Sequence, residues 1–510
     1  MRMRRRLTLA LSLAALVGCG DHPDPMAAAD DPASRNLSLA ESGGVGCARR
    51  VNNTVEKLLE CVTLDEVRAH QAALQAIADA NGGTRVSGSP GYDLSADYVA
   101  GRLQAAGYDV TLQPFQFLAF VSLSPPLLEQ VSPAPGPIAT TIIDYSGSGD
   151  VTAPVTAVQN GGCSAADFAG FPAGDVALLD RGNCTFAVKA TNAVGAGSRA
   201  VVVVNNAPGT VNGTLGSGFT LDIPVVGVGM VDGAQLAATP GLVLRVRTST
   251  FRGIATSHNV LAESRTGDPD NVVMVGAHLD AVNAGPGIND NGSGVAAVLE
   301  TALQMARVGT ANRVRFAFWG AEESGLIGSR FYVEALDADA LGRIAMYLNF
   351  DMIGSPNHGF FVYDGDDSDA FGAGPGPEGS AAIEALFVSF YAGRGLQTRG
   401  TDLSGRSDYG PFIAAGVPAG GISSGADGIK TANQAAMWGG TAGQRFDPCY
   451  HVACDTFANV NLSALDVNSD AVAFATLTSA MDGSMSLRGK RNPMPAGVAA
   501  SAHVHGASDR

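Results

Sequence analysis

Two histidines, three aspartates and an adjacent pair of glutamates stand out in this 510-residue sequence. Each lies where an apolar run ends or inside a tight loop. The run VVMVGA delivers His278 and Asp280, and the glycine- and proline-rich stretch after them carries Asp290. RVRFAFWG (313–320) leads into Glu322 and Glu323, and IAMYLNF (344–350) leads into Asp351. FDPCYHVACD (446–455) offers Tyr450 and His451 between Cys449 and Cys454. Imidazoles mixed with carboxylates suit zinc. Two imidazoles and three carboxylates are too many for one tetrahedral zinc that keeps an open position. They fit two zincs if one carboxylate bridges, giving each metal one histidine, one terminal carboxylate and the shared one. Such metals, about 3.5–4 Å apart, can activate one water between them. One of the paired glutamates then stays free to act as general base.

Ligands of this kind need rigid strand ends to hold them. Strands at 271–277, 313–319 and 344–350 alternate with helical stretches at about 293–307, 324–336 and 378–393. That rhythm predicts an α/β fold, a mixed, mainly parallel sheet sandwiched by helices, with ligands at the carboxyl edge. Ahead of it, Thr63-Leu64-Asp65-Glu66 opens a helix by a capping-box pattern, and Asn81-Gly82-Gly83 stops it. A second helix spans about Tyr92 to Ala106. An alternating strand follows from Val110 to Phe117, and Pro125-Pro126 and Pro133, Pro135 and Pro137 break it. From about 135 to 250 helix signals fade, and short β-rich runs appear between glycines at 176–179, 201–204, 224–228 and 242–246.

The length implies two or more domains. Net charge is −16, and about −20 once a leader with Arg2, Arg4, Arg5 and Arg6 is removed, which argues against nucleic acid. Those arginines and the apolar stretch Leu7 to Val17 form a signal peptide (1–18) too short to span a bilayer. Its end, Leu16-Val17-Gly18-Cys19, resembles a bacterial lipobox, so lipidation of Cys19 would tether an exported protein to the cell envelope. An ordinary secretory leader is the alternative. Residues 19–45 read as a flexible tether, and 484–510, with His503 and His505, as a disordered or processed tail. Besides Cys19, six cysteines fall into local pairs, Cys47 with Cys61, Cys163 with Cys184 and Cys449 with Cys454. Fifteen pairings are formally open, and short-range disulfides in an exported protein are the simplest.

The stretches GAHLDAV, GPGINDNGSG, WGAEESGLIGSRFYV, YLNFDMIGSPN, SDYGPFIAAGVPAGG and FDPCYHVACDT resemble the di-zinc aminopeptidase family that includes secreted bacterial leucine aminopeptidases. The likeness spans about 60–130 and 255–480. Residues 175–206 and 223–229 resemble the protease-associated domain, a β-rich insert. The expected layout is a catalytic domain at 46–134 and 251–483 with the insert at 135–250. The resemblance implies a zinc exopeptidase fold and two zinc ions per chain. His278 and Asp351 would hold one zinc, Glu323 and His451 the other, and Asp290 would bridge. It makes Glu322 the general base, Asp280 the carboxylate that orients His278, Tyr450 a donor to the oxyanion, and Arg406 a substrate-holding cation. Asp466 and Asp470 resemble a calcium pair of some relatives. Their usual amino-terminal partner is replaced near Cys61, so a solvated helix face is preferred to Ca2+. Asp364, Asp366, Asp367 and Asp369 read as a surface loop, and His258 and His358 as ordinary structural or surface residues. The resulting expectation is an exported monomeric aminopeptidase acting on peptides with a free amino terminus, hydrophobic residues such as leucine favoured. Its membrane contact would be only through the lipid anchor. A carboxypeptidase or deacylase on the same metals, and a non-catalytic binding protein of this fold, are the alternatives.

Overall fold

A computed structural model describes residues 46–483 except 48, 207, 208, 212, 371 and 373. The leader, Cys19, the tether and the tail with its two histidines lie outside the described residues.

Helix α1 (Leu64–Ala80) starts where the Thr63 hydroxyl accepts from the Glu66 amide. Helix α2 (Pro90–Ala106) is capped by Ser89 and stops at Gly107, whose φ of 99° an L side chain rarely adopts. The pairs Cys47–Cys61, Cys163–Cys184 and Cys449–Cys454 are disulfide-bonded.

Strand β1 (Asp109–Ser132) departs from expectation. The proline pair does not end it. The register against its antiparallel partner slips between Ser124 and Leu127, so Pro125 and Pro126 sit at an irregularity where no ladder hydrogen bond is required.

The segment that follows contains β2 (Gly149–Ala157), β3 (Val176–Asp180), α3 (Phe186–Gly195), β4 (Ala200–Val204), β5 (Val225–Val228) and α4 (Met230–Ala237). It is therefore not helix-free. The strands β3, β4 and β5 pair in parallel. Ala190 and Ala193 of α3 pack with Val201 and Val203, while Leu236 of α4 packs with Val202 on the other face. Both helices are short, of 10 and 8 residues, which is why periodicity in the sequence does not reveal them.

Strand β6 (Val243–Glu263) returns along β1 over the whole length of the pair, from Ser132 opposite Val243 to Asp109 opposite Glu263. Four further strands follow: β7 (Asp268–His278), β8 (Asn312–Trp319), β9 (Ile344–Phe350) and β10 (Ala419–Ser423). β7 lies between β8 and β9, parallel to both, and β10 runs parallel to β9. β8 meets β6 antiparallel, so the sheet continues through the ribbon into β2 and the insert. The result is a mixed α/β sheet, as expected.

Alternation along these strands feeds two cores. Val273, Val275, Phe316 and Leu348 face α1, α2, α5 (Gly292–Met305), α7 (Ser380–Gly393) and α8 (Leu462–Met481). Met274, Ala317, Trp319 and Tyr347 face Tyr332 of α6 (Ile327–Glu334), Tyr409 and Phe412. Burying each such large apolar side chain contributes about 1.5–3 kcal/mol. Helix α6 is shorter than the 324–336 expected, because residues 321–326 form the turn that carries the two glutamates.

Candidate metal centre

The carboxyl ends of β7, β8 and β9 lie side by side, and the loops leaving them carry His278, Glu322–Glu323 and Asp351. Asp290 lies on the loop entering α5. The two loops around it are stitched together. Asn291 donates to Phe350 O (2.9 Å) and accepts from the Gly294 and Met352 amides, while Asn289 accepts from the Gly354 amide. Ser293 donates to Asn289 O and accepts from the Ile353 amide. A Cβ on Gly294 would lie 2.2 Å from Phe350 O, so glycine is needed for this approach.

Distances among the ligand candidates are specific. Asp290 places Oδ1 3.2 Å from His278 Nε2 and Oδ2 3.2 Å from His451 Nε2. His278 Nε2 is 3.4 Å from Asp351 Oδ1, and His451 Nε2 is 3.1 Å from Glu323 Oε2. Two ligand atoms on one tetrahedral zinc, each about 2.0–2.2 Å from it, are about 3.3 Å apart. Glu323 Oε1 is buried without a hydrogen-bond partner, an atom that a cation would satisfy. The donor set therefore fits zinc: one histidine and one terminal carboxylate on each side of a shared carboxylate. Glu322 lies on the first side, with a carboxylate oxygen within 4.8 Å of ligand atoms of His278 and Asp351.

Each candidate is braced from behind. Asp280 faces His278 Nδ1 (3.6 Å to Oδ1), and its carboxylate accepts from the Glu322 and Glu323 amides at 3.1 and 3.3 Å. Asp351 accepts from Ser407 Oγ (2.6 Å), which accepts from Asn349, itself bonded to Tyr347 and through it to Trp319. Asp455 accepts from the Asn289 and Asp290 amides, and Asp447 accepts from the Asn289 side chain. The buried guanidinium of Arg85 donates to Leu279 O, Pro286 O and Gly287 O, clamping the loop between His278 and Asp290. None of Arg85, Asn289, Asn291, Ser293, Ser407, Asp447 or Asp455 is a site residue by sequence reasoning. Asn289, Asn291, Ser293, Asp447 and Asp455 lie within NDNGSG and FDPCYHVACD beside the ligand candidates, whereas Arg85 and Ser407 have no such neighbour in the sequence.

The protein's own groups set the proton affinities. Burial, with Asp351, Asp280 and Asp290 adding to it against His278, pushes Glu322 up to about 8. Burial pushes Glu323 up to about 7, with His451 opposing. For Asp290 burial also raises, but the hydrogen bonds from His278 and His451 outweigh it and hold the carboxyl well below the usual range. Asp408, missed in the sequence, is buried near Glu322 and His278; burial and then the Glu322 charge raise it strongly.

Of the remaining candidates, Tyr450 stacks on His451 at 3.8 Å between ring centroids. Arg406 is exposed at the rim, with Nη2 3.9 Å from Asp427. His258 lies 4.0 Å from Asp93, and His358 packs edge-on to Phe360, both away from the ligands. Asp466 is exposed on α8, while Asp470 pairs with Arg394 at 2.8 Å. Asp364 is buried rather than at the surface, because its carboxylate accepts from the Ser368 and Asp369 amides.

Residues 259–476 match the model of peptidase family M28, and residues 151–236 match that of the PA domain. An aminopeptidase of Pseudomonas aeruginosa is 46% identical over 437 residues, covering 82% of this chain and 81% of that one. A "Probable lipoprotein aminopeptidase" of Mycobacterium tuberculosis is 45% identical, over 82% of this chain and 86% of that one. Among solved structures, a zinc aminopeptidase from Bacillus subtilis superposes with a TM-score of 0.64 at 25% identity, covering 82% and 96% of the two chains.

Proposed function

This chain belongs to peptidase family M28 and is an aminopeptidase with an inserted PA domain; on that premise we propose that it removes amino-terminal residues, leucine and other hydrophobic ones foremost, from peptides outside the cytoplasm with two zinc ions. The observation that carries the metal count is Asp290, whose two oxygens each lie 3.2 Å from a different histidine. In this reading His278 and Asp351 would hold one zinc, Glu323 and His451 the other, and Asp290 would be shared between them.

When bound, the zinc ions polarise the scissile carbonyl and lower the pKa of water. Glu322, buried and with a raised proton affinity, takes the proton of the attacking water and passes it to the leaving amine. Cations nearby draw that affinity down toward the working pH. Tyr450 donates a hydrogen bond to the oxyanion, a role typically worth about 10²–10³ in rate. Asp280 faces Nδ1 of His278 and so leaves Nε2 for the metal. Arg406 at the rim holds the substrate near its carbonyl or carboxylate. The acids around the cleft suit a free α-ammonium group.

Export is supported by the three disulfides and by the mycobacterial relative's name. An anchor at Cys19 belongs to the same reading, as does the division into a catalytic domain (46–134 and 251–483) and an insert (135–250). The test is a zinc count with hydrolysis of leucine 4-nitroanilide and of an acetylated leucyl peptide. Two zincs and cleavage of free amino termini only are expected. One zinc, inactivity of the zinc-replete protein, or equal cleavage of the blocked peptide would overturn it.

A further inference from the structure

We propose that Trp319 and Tyr347 are positioning residues for the candidate zinc ligand Asp351, acting from the core through a one-way chain of hydrogen bonds that fixes which oxygen of Asp351 is left for the metal. The proposal rests on the zinc aminopeptidase reading above and adds to it two side chains of the buried core.

Donors and acceptors along this chain leave a single direction. The indole of Trp319 can only donate, and its Nε1 lies 2.8 Å from the Tyr347 hydroxyl. With that oxygen accepting, Tyr347 donates onward to Asn349 Oδ1 at 3.0 Å. Asn349 Nδ2 then donates to Ser407 Oγ at 3.0 Å, and Ser407 gives its own hydrogen to Asp351 Oδ2 at 2.6 Å. Turning the amide over would set two donors face to face at Tyr347. Burial pushes the Tyr347 hydroxyl well above its ordinary value, so its proton stays in place. Trp319, Tyr347, Asn349 and Ser407 are all buried, which strengthens each link and lets one polarise the next. The chain ends on Oδ2 of Asp351, and Oδ1 is left 3.4 Å from His278 Nε2.

The sheet leaves a slot for this chain to cross. Trp319 is on β8 and Tyr347 on β9, with β7 between them. Their polar ends meet over Gly276, two residues before His278 on the same face of β7. A Cβ on Gly276 would lie 2.5 Å from the Tyr347 hydroxyl and 2.9 Å from Trp319 Nε1, so any side chain there would part the two. The rings are held by their other neighbours. Tyr347 stacks on Phe412 at 4.2 Å between centroids, and Trp319 packs on Tyr332 and Phe412 at 5.2 and 5.9 Å. The aim of Asp351, just past the end of β9, is thus set by side chains packed on several sides.

The test uses the full chain. It measures both zinc affinities by competition with a chromophoric chelator, the thermal midpoint of the metal-free protein, and kcat on leucine 4-nitroanilide. Tyr347→Phe keeps the ring and removes the link, while Gly276→Ala pushes the same two groups apart, so a folding defect in one variant leaves the other to decide. In each, the affinity for one zinc should fall about 10–100-fold with the other within about twofold, and raising free zinc should recover most of the lost kcat. Tyr332→Phe is the control. Its ring lies in the same cluster, but its hydroxyl accepts from Arg315 outside the chain, so it should lower the thermal midpoint and leave both affinities unchanged. A purely structural role would make Tyr347→Phe and Gly276→Ala behave like this control. That result, or an equal fall in both affinities, would overturn the proposal. The zinc count and activity of the wild-type protein test the aminopeptidase reading separately, since the proposal fails only on differences from wild type.

Discussion

The two halves of the candidate metal centre present the same kinds of donor but are built differently. His278 closes a strand flanked on both sides, its side chain is 1% exposed, and Asp351 beside it is bonded into a buried chain running back to Trp319. His451 sits in a loop at φ 59° between Cys449 and Cys454, 18% exposed, with Glu323 in a turn. The first half is a by-product of the hydrophobic core. The second is appended to it and depends on local cross-links. The first should therefore survive perturbations that empty the second.

Glu322 is the proposed general base, so its loss should be largest. Glu322→Gln is expected to lower kcat about 10²–10⁴-fold with zinc content unchanged, checked by steady-state kinetics and metal analysis. Next, Cys449→Ser should free the His451 loop and drop the zinc count toward one, with at least about a tenfold loss of activity. Equal loss of both zincs would break the contrast between the halves.

Arg85→Met removes the guanidinium that holds three carbonyls of the loop shared by His278 and Asp290. Stability should fall by about 2–3 kcal/mol in urea unfolding, because buried carbonyls lose charged donors. Ser407→Ala should cost about 0.5–1.5 kcal/mol and a few-fold in kcat, confined to the first half.

His358 gives the smallest effect and a reference away from both halves. Burial and Lys430 push its pKa down to about 4, below the ordinary value near 6.5. The neutral imidazole therefore favours the folded state above about 6.5, and that stability is lost as pH falls toward 4. His358→Phe should flatten the fall of the thermal midpoint across this window. An unchanged slope would show that the acid sensitivity comes from elsewhere.

The same contrast explains what could be read in the sequence. Apolar runs such as VVMVGA and IAMYLNF announce strands, and the polar residues at their ends announce a site, because burial and chemistry are both local there. Arg85 and Asp455 act on backbone amides and carbonyls that meet only after folding, so their spacing carries no pattern. Pro125–Pro126 read as a break because local geometry forbids a regular ladder, yet the long pairing with β6 absorbs them at one slip of register. α3 and α4 were missed because ten and eight residues hold too few turns for a clear period.

The ribbon of β1 and β6 also couples the assembly of the insert to that of the main sheet. Ser132 and Val243 are partners, and the residues that match the PA domain, 151–236, lie between them. Zipping the ribbon around an unfolded insert would close that whole length as a loose loop, at an entropic cost that a collapsed insert largely removes. β6 is also the strand against which β8 pairs, so the margin of the catalytic sheet is laid down only once β6 is in place. A segment that supplies none of the candidate zinc ligands is thus coupled to them through β6, and a lesion in its small core is expected to slow assembly of the candidate metal centre without touching it.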